Sequence, residues 1–156
     1  MNKIIYQGVF FNFEETKKLA TKARINSLLF HREEEFGRGN MIANPHITWT
    51  FRPCDSIKIP QSMWGQIIDV RVTHIGFFTN PETGLIENIG FKVDKNDMLP
   101  YAGYIKNDID LLHITLKTSN GGKPINTSKC KWFKITPQVF EGVIGYFADD
   151  GKVHFA

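Results

Sequence analysis

Cysteine is nearly absent from this chain: Cys54 and Cys130 are the only two in 156 residues. No C-x-x-C pair or mixed Cys/His spacing surrounds them, which excludes a disulfide framework and a structural zinc site. Long apolar runs are lacking too. No segment approaches the ~20 apolar residues of a membrane span, and the start, Met1 to Gln7, enters alternating strand-like sequence without a signal-peptide core. A soluble cytoplasmic protein with no membrane partner is expected. Dense runs of one charge are also missing. A net charge of +3 without a Lys/Arg cluster suits an anionic small ligand or a short oligonucleotide, and duplex DNA is not an expected partner. The most basic segment carries Lys123, Lys129, Lys131 and Lys134; its ordinary reading is a protected strand edge.

What is present is a globular composition. Hydrophobic residues make up 42% and charged residues 22%, and the length fits a single domain over residues 1–156. Aromatics reach 13%, led by thirteen phenylalanines, enough for a dense core or for a pocket that stacks flat ligands.

Strand-like sequence dominates. Strands are predicted over Ile4–Phe13, His46–Phe51, Gln66–Thr79, Leu85–Val93, Leu111–Thr118, Cys130–Thr136 and Val139–Phe147. Asn80-Pro81-Glu82-Thr83-Gly84 is a hairpin turn signal, and Asp149-Asp150-Gly151 a closing turn. One helix is predicted from Phe13 to Leu29, with Glu14 and Glu15 in its first turn and lysines after them. Residues 31–43 read as a polar loop, and the connector from Asp94 to Asp110 has room for a short helix. Within that connector Tyr101 and Tyr104 flank Gly103, where a cover over a site is one reading. The pattern is α+β with antiparallel hairpins, not a regular βαβ alternation.

No short-period repeat occurs, but one half of the chain echoes the other. Pro45-His46-Ile47-Thr48-Trp49 and Leu112-His113-Ile114-Thr115-Leu116 share His-Ile-Thr in strand context, 67 residues apart. Side chains alternate along a strand, so His46 faces with Thr48, and His113 with Thr115. An imidazole moves protons near neutral pH and a hydroxyl donates to a phosphoryl oxygen. Cleaving a phosphodiester in line needs a base for the attacking oxygen and an acid for the leaving one, and two histidines supply both. A lone His-x-Thr carries little weight, because most strand histidines are packed core residues; two matched copies half a chain apart carry much more. Two histidines alone are too few ligands for a catalytic zinc, so no metal or other cofactor is expected.

The paired His-Ile-Thr strands resemble the two-histidine phosphoesterase superfamily, whose signature is two H-x-T/S motifs. The resemblance implies a bilobal, pseudo-symmetric α+β fold, with antiparallel sheets around a central cleft (the LigT-like fold). Within the superfamily, the length, the Phe-rich first strand, the early helix and the Phe140-Glu141-Gly142-Val143-Ile144-Gly145-Tyr146-Phe147 tail are most similar to phage anti-CBASS phosphodiesterases. The resemblance implies a metal-independent enzyme, in the host cytoplasm if phage-encoded, that opens cyclic di- and trinucleotide signals such as 3′,3′-cyclic GMP-AMP through the ribose 2′-hydroxyl. His46 and His113 would be the base/acid pair, in unassigned order, and Thr48 and Thr115 the phosphate holders. Gly122-Lys123-Pro124 after the second motif is similar to members that act on 2′,3′-cyclic phosphate RNA ends, so RNA-end processing is an alternative, and a non-catalytic cyclic-nucleotide sponge is another.

The substrate-binding candidates are less specific. Glu141, a charge in an apolar strand that is costly without purpose, fits the carboxylate that reads a base edge in the anti-CBASS enzymes; an outward-facing strand residue is the plain alternative. Phe11 and Phe147 are candidate stacking faces or core residues. His74 either lines the same site or is merely packed. Lys123 either offers charge to a phosphate beside loop amides or is a solvated loop residue.

Overall fold

The computed structural model describes residues 3–19, 40–119 and 121–156, with backbone alone at 40 and 41. Eight strands are β1 (Ile4–Phe11), β2 (Asn40–Met41), β3 (His46–Phe51), β4 (Ile67–Thr79), β5 (Ile86–Val93), β6 (His113–Thr118), β7 (Lys131–Ala148) and β8 (Val153–His154). They form a single antiparallel sheet in the order β2-β6-β5-β4-β7-β1-β3, with β8 added beside β7. Residues 13–19 are helical; the remainder of the expected helix and most of the expected 31–43 loop lie outside the described residues. The connector from 94 to 112 holds three short 3-10 helices.

Most strands fall where alternation and β-branched content place them; the two-residue β2, inside the expected 31–43 loop, and β8 are unexpected, and β7 differs in extent. The last two expected strands are one strand of eighteen residues. Pro137 does not break it because β4 slips register opposite that point, between Val72 and His74, where the partners jump from Gln138 to Lys134. A proline lacks a ladder donor and is accommodated at such a bulge. The uninterrupted β7 pairs with β4 along its first part and with β1 along its last. The expected separate sheets are therefore joined edge to edge.

Read inward from β3 and from β6, the sheet repeats a plan. Thr48 pairs with Gly8 and Gly8 with Gly145; Thr115 pairs with Gly90 and Gly90 with Gly76. Each first glycine sits at a register shift, Gln7/Gly8 or Ile89/Gly90. A Cβ on Gly8 would strike the carbonyl oxygen of Ile47, and one on Gly90 would stand 2.8 Å from that of Ile114. Only glycine lets the neighbouring backbone approach each His-Ile-Thr strand this closely.

The sheet curls until β3 and β6 touch. The connector closes the same edge: the amide of Lys106 donates to Trp49 O (2.9 Å) and Asn107 Nδ2 donates to Thr48 O (2.9 Å). The residues opposite the histidines, Ile47, Trp49, Ile114 and Leu116, are fully or almost fully buried with Val9, Val70, Phe91 and Ile144, each apolar side chain of this kind contributing about 1.5–3 kcal/mol. Tyr101 stacks on Trp49 at 5.0 Å and the carbonyl of Tyr104 accepts from Thr50 and Gln7. That corrects the reading of this pair as a cover: the connector packs on the core side.

Replacing Gly8 by alanine overpacks the β1–β3 approach and is expected to cost about 2–3 kcal/mol, whereas Gly103→Ala, where a Cβ meets nothing within 4 Å, stays within about 0.5 kcal/mol. Urea unfolding of the two variants checks this; equal midpoints would refute the close-approach argument.

Candidate active site

His46 opens β3 and His113 opens β6, so each ring stands where a turn ends and a strand begins. The same local bond holds both. His46 Nδ1 lies 2.7 Å from the carbonyl oxygen of Asn44, and His113 Nδ1 lies 2.8 Å from that of Leu111. A carbonyl can only accept, so Nδ1 carries the proton in each ring. The neutral imidazole therefore presents a bare Nε2, ready to take a proton, and its protonated form presents Nε2–H, ready to give one. The charge of His113 is felt at His46, as the contact between their strands requires.

Burial pushes both histidines below the ordinary value of 6.5. At His46 the Asn44 carbonyl acts against burial, while His113 adds to it; at His113 the Leu111 carbonyl is the opposing influence. The cover over His46 is aromatic. Tyr6 stacks on its ring at 4.5 Å, Phe10 lies at 5.6 Å, and Phe147 stacks on Tyr6 at 5.2 Å. Phe155 meets Phe10 edge-on at 6.0 Å. Burial raises the Tyr6 phenol to about 12, so it keeps its proton through the neutral range.

The two threonines differ. No hydrogen bond engages the Thr48 hydroxyl among the described residues; the bond at this position is made by its carbonyl. Thr115, only 8% exposed, donates from Oγ1 to Thr127 Oγ1 at 2.9 Å, with Pro124 O at 3.3 Å. Asn88 Nδ2 completes that network, donating to Thr127 Oγ1 (3.2 Å) and to the carbonyl of Lys123 (2.8 Å). The Lys123 side chain is exposed, and its backbone ties the loop to β5.

Of the remaining candidates, Phe147 joins the aromatic group at His46. Phe11 does not. It lies in the core, edge-on to Phe140 at 6.4 Å, so the reading of Phe11 as a stacking face is corrected to a core residue; Phe10, on the opposite side of β1, joins the group around His46 but is itself only 5% exposed. Glu141 is exposed, opposite Asp69 on β4. It bears no burial cost, so the argument from a costly charge does not apply to it. It shares a face with Val143, whose cross-strand row continues through Phe10 to His46. His74 belongs to the other end of the site: His113, Lys92, His74 and Lys134 are successive cross-strand partners over β6, β5, β4 and β7. Burial, then Lys92 and Lys134, push His74 below its ordinary value, and its Nδ1 lies 2.8 Å from Thr73 Oγ1.

Tyr6, Phe10 and Lys92 are the site residues that sequence reasoning missed. Tyr6 and Phe10 are four apart in β1 and so share a face, a signal hidden by the continuous apolar run around them. No three His, Cys, Asp or Glu side chains gather as a metal site among the described residues, and no helix there is long and apolar enough to cross a membrane. No family model and no curated protein sequence matches the chain.

The depressed histidines give a sign-definite prediction. Their folded-state pKa values lie below the unfolded value, so the unfolded chain binds more protons between the two. The stabilisation is complete above pH 6.5 and declines as the pH falls from about 6.5 through the folded-state values. Histidine ring resonances followed by NMR are expected to titrate below 6.5 for His46 and His113, and the acid decline in stability is expected to be shallower in H46Q/H113Q. Midpoints above 6.5 would contradict the burial argument.

Proposed function

We propose that the chain is a metal-independent phosphodiesterase of the two-histidine, LigT-like kind, and that it opens cyclic di- or trinucleotides through the ribose 2′-hydroxyl, as phage anti-CBASS enzymes do. The observation that carries the reading is the matched pair of Nδ1–carbonyl bonds, which leaves two bare Nε2 atoms on strands that meet. One histidine, neutral, takes the 2′-hydroxyl proton as that oxygen attacks phosphorus. The P–O5′ bond breaks, and the other histidine, protonated, delivers its proton to the departing 5′-oxygen. The product is a 2′,3′-cyclic phosphate. Each transfer contributes typically ~10²–10⁴-fold.

Thr48 is suited to donate to a phosphoryl oxygen because its hydroxyl is uncommitted. Thr115 acts as a positioning residue, bracing β6 against the 124–129 turn. The partly exposed rings of Tyr6 and Phe147 offer a surface for a nucleobase, on which stacking is worth about 1–3 kcal/mol per base, and Glu141, one same-face step beyond Val143 on β7, is the candidate for reading a base edge.

Incubation with 3′,3′-cyclic GMP-AMP in EDTA, beside an oligoribonucleotide ending in a 2′,3′-cyclic phosphate, tests the reading. Ring opening is expected, with losses of about 10²-fold or more in H46A and in H113A, and no cleavage of a 2′-deoxy analogue. With both histidines depressed, kcat/KM is expected to peak below pH 6.5. T48A is expected to lose about 10–100-fold in kcat/KM, the worth of a hydrogen bond to a charged group. T115A should lose stability as well, by about 1–3 kcal/mol. Turnover of the RNA end alone would replace the cyclic-nucleotide reading with RNA-end processing; intact ligand recovered from a denatured complex would make the chain a sponge.

A further inference from the structure

The cross-strand row from His113 differs in kind from the row that starts at His46. From His46 it runs through Phe10 to Val143. From His113 it runs through Lys92 and His74 to Lys134. Directly opposed side chains of an antiparallel pair stand about 4.5–5.5 Å apart, and like charges there repel. Two ammonium groups thus flank one imidazole, and both depress its proton affinity. Neither Lys92 nor Lys134 has a carboxylate partner among the described residues. Elsewhere the chain does pair such charges, as in Lys95–Asp110 at 3.0 Å and His154–Asp150 at 2.8 Å. Interstrand steps of about 4.8 Å put Lys92 midway between His113 and His74, with His74 about 10 Å from His113. The acidic pair of the same face, Asp69 and Glu141, lies beyond Arg71 along the strands, so no carboxylate among the described residues neutralises the two lysines.

We propose that Lys92, His74 and Lys134 form a second phosphate subsite, which holds a phosphate other than the one attacked, so that the ligand is a nucleotide carrying at least two phosphate groups. This inference rests on His46 and His113 acting on the first phosphate. The lysine ammonium groups give charge-assisted hydrogen bonds, and the subsite fixes which phosphate of the ligand lies between the two histidines.

The test uses the full chain and 2′-O-methyl ligands, in which the internal nucleophile is blocked and binding is read without turnover. The probes are ApA, with one phosphate; pApA, with a second at the chain end; and cyclic diadenylate, with a second in the ring. At least one two-phosphate ligand is expected to bind about tenfold or more tightly than ApA, and which one does so identifies the source of the second phosphate. In K92A/K134A that advantage is expected to fall below about threefold, with the thermal midpoint kept. The salt slope of log Kd should fall by roughly 1, and K92R/K134R should retain the advantage. A full advantage persisting in K92A/K134A overturns the subsite. If unmethylated ApA is cleaved in a His46- and His113-dependent way but the second phosphate adds no affinity, the subsite alone is wrong. If no probe binds and no unmethylated form is cleaved, the phosphodiesterase reading falls with it.

Discussion

The ladder that β7 makes on both of its sides is the constraint on which the remaining structure depends. Along its first part β7 is bonded to β4, along its last to β1, and the change of partner falls around Gly142 and Val143, which both neighbours share. Each three-strand unit, β3-β1-β7 and β6-β5-β4, could pair internally without the other. Only their common seam at β4–β7 makes them one sheet, and only one continuous sheet can curl to bring β3 and β6 together. Pro137 is part of this solution. By occupying the register slip opposite Val72 and His74 it lets the strand bend without a loop, and a sharper twist at a bulge is what a strongly curled sheet needs.

Much of this was legible in the sequence. His46–Phe51 stands where alternation places it, because polar His46 and Thr48 against buried Ile47 and Trp49 leave a single register that hides the apolar pair. What periodicity could not supply was anything that depends on a partner strand. Gly8 and Gly90 read as isolated strand glycines until their opposites, Thr48 and Thr115, are known. Around Phe11 periodicity is silent for the opposite reason: Val9-Phe10-Phe11 is apolar throughout, so no alternation marks which residue turns to the core. The eighteen-residue β7 reads as two strands because proline is a strong local breaker, and the bulge that tolerates Pro137 is defined only by its register against β4. The carbonyl locks on His46 and His113 lie outside any pattern, since a backbone oxygen two residues back has no side-chain signature.

The histidine environments are set mainly by turn carbonyls and burial. A turn carbonyl fixes each tautomer, a service that carboxylates or backbone oxygens commonly perform for histidine. Burial then disfavours the imidazolium, and at His46 the rings of Tyr6 and Phe10 cover it, with Phe147 stacked on Tyr6. These influences oppose each other: the carbonyl stabilises the charged ring while the loss of water penalises it. The outcome in both cases favours the neutral ring, with Nε2 left as the basic atom. Under the proposed chemistry, the ring that acts as acid has to gain its proton against burial, and a bound phosphate beside it would favour that gain, since a nearby opposite charge raises a histidine pKa. The anion to be cleaved would then itself complete the acid–base pair.

The backbone plan is thus repeated while the side chains on it diverge. Beside Thr48 the row is closed by Gly8 and Gly145, over which His154 and Phe155 pack; beside Thr115 it is closed by Gly90 and Gly76, over which Thr127 and Trp132 pack. One step along each strand the two units part company, Phe10 and Val143 against Lys92 and His74. A symmetric pair of histidines requires only that the two carbonyl locks and the two glycine approaches be kept, and those are the features that match. The flanking rows are free of that requirement. Under the proposed chemistry, divergence there, apolar on one side and cationic on the other, would give an otherwise even-handed pair of histidines a direction: a ligand with a flat apolar end and a charged end would lie across the seam in one orientation far better than in the other.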